Sequence, residues 1–217
     1  DITTLMLAML LGPLIGGILY EHTGLSGVYF SIGLCFIVAQ LVIRRTLLPA
    51  AQKHHQKRKL LNEIAEGISY ARSNRVVTVT LVITVVMNVF VLALFGLVPV
   101  VAIDVLKLSP SINGVLLSSS GVGGFFGALL ISIYGPQSHY RRYYFWGCLL
   151  LAASILVFSL STTFYFSIIL LVLGGFGLAG FGTMQVTLVL LETPPHLRSR
   201  ILGLLTVCIG MGPVGVL

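Results

Sequence analysis

Few side chains in this chain could take part in chemistry, and they do not form a cluster. His54 and His55 are adjacent and could ligate a metal ion, but they lie in a polar stretch that lacks the further ligands a zinc site needs. Ser118, Ser119 and Ser120 carry hydroxyl nucleophiles, yet the sequence places no base within their reach. An enzyme that works inside a membrane would need a nucleophile and a base close together at the same depth in the bilayer. We therefore expect no enzyme, no metal site and no cofactor, and an intramembrane enzyme stays only as a remote alternative.

Two amide side chains, Asn88 and Gln185, lie within long apolar segments. They could face a central cavity and contact a small-molecule substrate. The alternative for each is an interhelical hydrogen bond worth about 1 kcal/mol. By this interpretation no charged residue and no His lies deep inside an apolar segment, and charges at such places usually mark ion or proton paths. These segments therefore carry no obvious proton relay.

The elements that would position these groups follow from an unusually apolar composition. Hydrophobic residues make up 57% of the chain and charged residues only 9%, against roughly 25% charged residues in soluble domains. A soluble core cannot hide that much apolar surface, so the lipid bilayer is the expected solvent. Backbone groups in lipid must be paired within the segment, which favours helices over lone strands. The predicted fold class is therefore all-α, a polytopic membrane helix bundle.

Apolar runs divide the chain into spans, since about 20 residues are needed to cross a hydrocarbon core of about 30 Å. About seven transmembrane helices are predicted, with a short outer turn over residues 21–27. The third span is rich in Val and Thr, which alone would suggest a strand, but its length and the lipid setting favour a helix bent by Pro99. The predicted spans are 2–20, 28–43, 76–103, 112–134, 143–160, 164–191 and a last one that starts at 201.

The only long polar segment lies between the second and third spans. It begins with a basic run over residues 52–59, for which we expect a solvated loop near anionic headgroups. In residues 60–73, apolar side chains recur at helical spacing and polar ones fall elsewhere, which predicts a short amphipathic helix on the membrane or under the bundle.

The net charge of +7 is distributed unevenly across the predicted membrane. Twelve of the 13 Lys and Arg residues fall in loops on one side of the spans, and only Lys107 falls on the other. Because Lys and Arg collect in cytoplasmic loops, the side that holds Arg58 and His139 is predicted to be the cytoplasm. The same distribution argues against nucleic acid as a partner.

The first span contains Gly12, Pro13, Gly16 and Gly17 in the pattern Gly-Pro-x-x-Gly-Gly. Pro13 cannot donate its backbone hydrogen bond, so the helix is expected to bend there. Gly12 and Gly16 lie one turn apart on one face, where a neighbouring helix can approach closely. The pattern resembles the motif of the fifth transmembrane helix in exporters of the major facilitator superfamily.

Further features fit this resemblance. The last span carries Gly212 and Pro213, an echo of the first span six spans later, and helices five and eleven are equivalent in a bundle of two six-helix repeats. The polar segment 45–75 lies where that superfamily joins its halves. The loop 195–203 resembles the segment before helix eleven in drug and siderophore exporters. The chain thus resembles helices five to eleven of such a transporter, and we expect it to be a fragment of a longer protein.

The resemblance implies a division of the chain into parts. Residues 1–44 would be the last two helices of the N-terminal repeat, residues 45–75 the central cytoplasmic loop with its amphipathic helix, and residues 76–217 the C-terminal repeat, truncated in its fifth helix. It also implies that the missing N-terminal helices of the same protein are packing partners. Proton coupling is expected through residues outside this fragment.

A cytoplasmic gate is implied by the loop after the fourth span. Gly135, Arg141 and Arg142 match part of the second copy of the superfamily's gate motif. The usual Asp of that motif is absent, and His139 stands near its place.

A small-residue face is predicted on the fourth span. Ser120, Gly124 and Ala128 recur every four residues, which suits close helix contact. The resemblance pairs this face with the first span, and we expect the contact to run through Gly12 and Gly16.

The resemblance implies a secondary active transporter that exports amphipathic small molecules by alternating access. The lack of charge within the spans favours a lipophilic or weakly charged substrate, held mainly by apolar contacts. An uptake symporter of the same superfamily is the alternative. The lipid bilayer and a small-molecule substrate are the expected partners, and the expected location is multi-pass in a bacterial cytoplasmic (inner) membrane.

Overall fold

A computed structural model of the protein describes residues 2–45 and 60–215. Within those ranges the backbone is helical with short connecting turns, and no strand is present. The predicted basic stretch, with His54, His55 and Arg58, lies outside the described residues. The prediction of an all-α membrane helix bundle is confirmed.

Regular helices of 12 residues or more carry most of the described chain. They are α1 (Ile2–Arg45), α2 (Leu60–Ser73), α3 (Arg75–Val86), α4 (Pro110–Tyr134), α5 (Tyr140–Phe158), α6 (Phe164–Glu192) and α7 (Arg198–Ile209). Six segments of the described ranges are long and apolar enough to cross a membrane: Leu7–Arg45, Arg75–Val105, Pro110–Tyr134, Tyr140–Phe158, Phe164–Glu192 and Pro195–Gly215.

The first two predicted spans correspond to two helical segments of α1 that meet at a kink at Gly24, inside the predicted turn over residues 21–27. α1 has 44 residues, or about 66 Å of helix summed over its two segments, which is about twice the thickness of a hydrocarbon core, so each segment has the length of one span. It is interrupted only at Gly24, where φ is 66° and ψ is −170°, a conformation that glycine adopts without a steric penalty. The hydroxyls of Thr23 and Ser31 each donate to a carbonyl one turn earlier, at 2.7 and 2.8 Å. A single residue therefore breaks the helix where the sequence suggested a loop.

The third predicted span, 76–103, is the most irregular of the described helices. α3 begins after Asn74, whose side-chain oxygen accepts hydrogen bonds from two first-turn backbone N–H groups at 3.0 and 3.2 Å. The chain then winds as a π-helix over Met87–Leu92 and again over Val101–Val105. Pro99, predicted to bend this end, lies in the single helical turn just before the second π segment.

α6 packs between α4 and α5, and glycines permit a close approach on both sides. An added Cβ at Gly175 would lie 2.8 Å from the backbone nitrogen of Gly124 on α4. An added Cβ at Gly177 would lie 2.5 Å from the backbone nitrogen of Leu151 and 2.8 Å from the carbonyl oxygen of Gly147 on α5. These helices therefore meet backbone to backbone, the arrangement that small residues permit in membranes.

α2 is the predicted amphipathic helix, at the predicted bounds. It lies under the bundle against α3 and α7, where Ala71 joins a small apolar cluster with Val77, Ile201 and Leu205. The hydroxyl of Tyr70 donates a hydrogen bond to the backbone carbonyl of Glu192, the last residue of α6. The helix between the two predicted halves is thus fastened to the ends of the membrane helices.

Candidate functional site: glycine seams and a buried polar cluster

The Gly-Pro segment of α1 forms a close contact with the first half of α4. An added Cβ at Gly17 would lie 2.7 Å from the carbonyl oxygen of Pro110 and 3.1 Å from the Cα of Gly114. Farther along, an added Cβ at Gly121 would lie 2.5 Å from the Cα of Leu10. The two backbones therefore touch over about 10 Å of helix. This contact, the first seam, comprises Leu10, Pro13 and Gly17 of α1 and Pro110, Gly114 and Gly121 of α4.

The structure corrects the predicted face of α1. An added Cβ at Gly12 or at Gly16 would meet nothing within 4 Å. Pro13 and Gly17, which are also four residues apart, face α4 instead, and the carbonyl of Pro13 lies against Gly114. The prediction that α1 and α4 pack together is confirmed, and the prediction that Gly12 and Gly16 make the contact is wrong.

A cavity of about 370 Å³ adjoins the first seam. Its lining includes Gly16 and Tyr20 of α1, Ile103 of the second π segment and Asn113 of α4. The side-chain oxygen of Asn113 is buried there without a hydrogen-bond partner among the described residues. Gly16 therefore borders open space beside the contact rather than the contact itself.

The small-residue face predicted on α4 packs against α6. The backbone of Ser120 and Gly124 lies against Gly175, where an added Cβ would overlap it. The hydroxyl of Ser120 donates to the carbonyl of Leu117 at 2.7 Å, so it is paired within its own helix. Ala128, one turn beyond Gly124, is half-buried. The face is a packing surface, but its predicted partner α1 binds the neighbouring face of α4.

A second close contact involves the echo of the motif near the end of the described chain. The 3₁₀ turn Gly212–Gly215 follows α7 and packs on the π segment Met87–Leu92. An added Cβ at Gly215 would lie 2.9 Å from the Cβ of Ala93 and would overlap the backbone carbonyl of Val89. This contact is the second seam. Because π segments are frequent at functional sites, the second seam is a candidate for a functional contact.

Buried polar side chains join α3, α5 and α6. The hydroxyl of Thr84 donates to Oε1 of Gln185 at 3.2 Å and lies 3.4 Å from the hydroxyl of Tyr144. The Tyr144 hydroxyl donates to the carbonyl of Thr80 at 3.2 Å, and the amide of Asn88 donates to the carbonyl of Thr84 at 2.8 Å. None of the five side chains is more than 8% exposed. We refer to these residues as the polar cluster.

The polar cluster brings together the two amide residues that the sequence singled out. Asn88 and Gln185 are 4% and 8% exposed, which leaves little surface for a substrate in this conformation. The bond between Thr84 and Gln185 is interhelical, as in the second alternative weighed from the sequence. Sequence reasoning missed Thr84, although Thr80, Thr84 and Asn88 recur every four residues and so share one face.

An ion pair ties α5 to α6 at the end where the predicted cytoplasmic loops lie. Nη2 of Arg141 is 2.8 Å from Oε1 of Glu192, which supplies a carboxylate that the loop after α4 lacks. The two side chains are 67% and 31% exposed, so the pair contributes at most about 1 kcal/mol. Gly135 ends α4 and donates its N–H to the carbonyl of Ile131 at 2.9 Å. Arg142 is exposed, with no ion pair in the ranges that the structure describes.

A second set of ion pairs joins α7 to α2 at the same end. Nη1 of Arg200 lies 2.5 Å from Oε2 of Glu66, and Nη2 lies 3.9 Å from Oε1 of Glu63. The Arg200 side chain is only 14% exposed, because Gly67 lets α2 lie against its stem. Sequence reasoning did not pair these residues, since the two helices are far apart along the chain.

The described residues contain no group of three or more His, Cys, Asp and Glu that could hold a metal ion. A family model described as Major Facilitator Superfamily matches residues 2–216. Neither a curated protein nor a solved structure matches the chain. The family match therefore includes both seams and the polar cluster.

Proposed function

The chain belongs to the major facilitator superfamily of membrane transporters, and from that premise we propose that it exports amphipathic small molecules by alternating access. The observation that carries this proposal is the first seam. It places the exporter-like pattern of α1, through Pro13 and Gly17, in backbone contact with α4.

The first seam has the properties of a contact between two halves that rock against each other. In the proposed division, α1 belongs to the N-terminal repeat and α4 to the C-terminal repeat, so the seam is their meeting surface. The seam consists of backbone and small residues, without long side chains that would have to repack when the helices tilt. Near its end, the carboxylate of Glu21 accepts a hydrogen bond from the backbone N–H of Ser111 at 3.3 Å, at the positive start of α4. This contact supports a state in which that end is sealed.

We propose that the substrate is held mainly by apolar contacts. In this conformation the polar cluster is closed, so contact of Asn88 and Gln185 with substrate would require α3 to move relative to α6. Proton coupling is assigned to residues outside this chain segment.

In the proposed orientation, the protein lies in a bacterial inner membrane and the ion-paired ends of α5, α6 and α7 face the cytoplasm. It rests on the asymmetry of Lys and Arg. A cysteine replacing His139 should react with an impermeant thiol reagent only after the cells are opened, and one replacing Lys107 should react in intact cells. Labelling of position 139 from outside would reverse the orientation.

Transport by the full-length protein tests the proposed direction. Cells that lack their own pumps should accumulate less of an amphipathic dye when they express it, and Pro13→Ala and Gly17→Leu should weaken this effect. Gly12→Ala is the matched control, because a Cβ there meets nothing within 4 Å. Uphill accumulation of a polar nutrient would instead establish the uptake symporter and refute export.

A further inference from the structure

Glu21 continues the contact face of α1 beyond the first seam. Pro13, Gly17 and Glu21 are spaced four residues apart, so they lie on one side of the helix. Gly17 lies against the backbone of Pro110, and one turn later Oε2 of Glu21 accepts a hydrogen bond from the backbone N–H of Ser111 at 3.3 Å. The contact of this face with α4 therefore ends in a hydrogen bond to the first turn of α4.

The start of α4 also has a capping residue of its own that is not in use. Ser109 is the N-cap residue, and its carbonyl accepts the first bond of the helix, from the N–H of Asn113 at 2.9 Å. Serine is favoured at this position because its hydroxyl can accept a hydrogen bond from the second or third N–H of the helix. Here the Ser109 hydroxyl makes no such bond and lies 3.3 Å from the hydroxyl of Ser111.

Glu21 and Ser109 are thus alternative acceptors for the same donor. Pro110 is the first residue of α4 and has no N–H, so the N–H of Ser111 is the first donor that the helix presents. Rotation of the Ser109 side chain about its Cα–Cβ bond would bring its hydroxyl to that donor in the usual capping geometry. The donor therefore has an acceptor available whether α1 is near α4 or has moved away.

We propose that α4 exchanges its cap during transport: Glu21 caps it while the outer end is sealed, and Ser109 caps it when that end opens. This inference rests on the proposed alternating access, and the outer end is the end that holds Lys107 in the proposed orientation. The charge of the Glu21 carboxylate lies at the positive end of the α4 dipole, which favours the sealed state. Because the N–H of Ser111 is bonded in both states, opening avoids the penalty of an unpaired donor.

Pulsed electron paramagnetic resonance of the full-length protein in lipid nanodiscs tests this exchange. Spin labels attached to Leu25→Cys in α1 and to Leu160→Cys in the turn between α5 and α6 would measure the distance across the outer end, since both side chains are exposed. The native cysteines would be replaced by alanine in this background. Two distance populations are expected, one sealed and one open, and the ratio of open to sealed protein is the readout.

The two caps predict opposite effects on this ratio. Glu21→Ala should raise it by about two- to fivefold, which is the effect of a carboxylate at a helix N-terminus. Ser109→Ala should lower it by about fivefold, because only the open state loses its cap. Ser109→Asp supplies a charged cap from α4 itself and should raise the ratio. Thr23→Ala is the control and should leave the ratio unchanged, because the Thr23 hydroxyl lies near Glu21 but bonds to the carbonyl of Leu19 in its own helix.

The outcomes separate the cap exchange from the proposed function. The double variant Glu21→Ala and Ser109→Ala lacks both caps, and its ratio should fall between those of the single variants. Shifts in the same direction for the two single variants, or no shift in either, would overturn the exchange, while two populations in the wild type would still support alternating access. A single population in the wild type and in all variants would refute alternating access and the exchange with it.

Discussion

Single Cβ additions at adjacent glycines of α1 should have opposite effects on stability. Gly17→Ala places a methyl group 2.7 Å from the carbonyl oxygen of Pro110 and 3.1 Å from the Cα of Gly114. Both neighbours are backbone atoms, which cannot rotate away as a side chain can. α1 and α4 must therefore separate or tilt. Gly16→Ala places the same group where nothing lies within 4 Å.

The magnitudes follow from two terms. Overpacking costs about 1–3 kcal/mol, and replacing a helical glycine by alanine returns roughly 0.5–1 kcal/mol. Gly17→Ala should then destabilise the protein by about 0.5–2 kcal/mol. Gly16→Ala causes no overpacking, so only the gain from replacing a helical glycine remains, and the variant should be more stable by about 0.5–1 kcal/mol. The two variants should differ by roughly 1–3 kcal/mol, the full cost of overpacking.

Equilibrium unfolding of the full-length protein in mixed micelles with increasing SDS measures this difference. Gly114→Ala provides a reciprocal check, because its Cβ would meet the carbonyl of Pro13 from the other side of the first seam. It should therefore destabilise like Gly17→Ala. If Gly16→Ala destabilises as much as Gly17→Ala, or if Gly114→Ala has no effect, the assigned face of α1 is refuted.

Two other predictions concern the polar cluster and the fastening of α2. Thr84→Val removes the hydroxyl that donates to Gln185 at 3.2 Å, and it should lower the free energy of unfolding by about 1 kcal/mol in the same SDS titration. Thr206→Val is the control, because the Thr206 hydroxyl bonds within its own helix, and it should lower the stability less. Equal losses of stability in the two variants would contradict an interhelical role for Thr84. Arg200→Gln weakens the ion pairs to α2 and should speed amide hydrogen exchange across Leu60–Ser73, whereas Arg72→Gln should not. Unchanged exchange in the Arg200 variant would show that apolar contacts alone hold α2.

The helices were predictable because a bilayer leaves the backbone few alternatives. Apolar runs of sufficient length must satisfy their own hydrogen bonds, so even the Val- and Thr-rich third span is helical. The bounds of α2 were predictable for another reason: Asn74 is a strong cap, and polar and apolar side chains separate cleanly from 60 to 73. The break at Gly24 was placed in the right region but given too many residues, since one positive φ is enough to interrupt α1.

The contact face of α1 was not predictable from its own sequence. Gly12 and Gly16 are four residues apart, and so are Pro13 and Gly17, so both pairs form a stripe suited to close packing. The choice between them depends on Gly114 and the other small residues of α4, which lie about a hundred residues later. The partners in the polar cluster were likewise not predictable from the sequence of one helix. The periodicity of Thr80, Thr84 and Asn88 marks a face, but it cannot identify Tyr144 and Gln185 as the partners.

The two seams show what the repeated Gly-Pro pattern does in the structure. In each, a Gly-Pro segment brings its backbone against another helix: Gly17 against Pro110 in the first seam, and Gly215 against Val89 in the second. Contacts of this kind depend on the absence of side chains, so few interactions oppose small shifts along a seam; at the first seam, the hydrogen bond from the Ser111 N–H to Glu21 is the one that such a shift would strain. The hydrogen bond between Thr84 and Gln185 and the Arg200 ion pairs lie outside the seams, on α3 with α6 and on α2 with α7. We therefore expect movement during transport to occur at the seams, while the polar contacts keep α3, α5 and α6 together as one body.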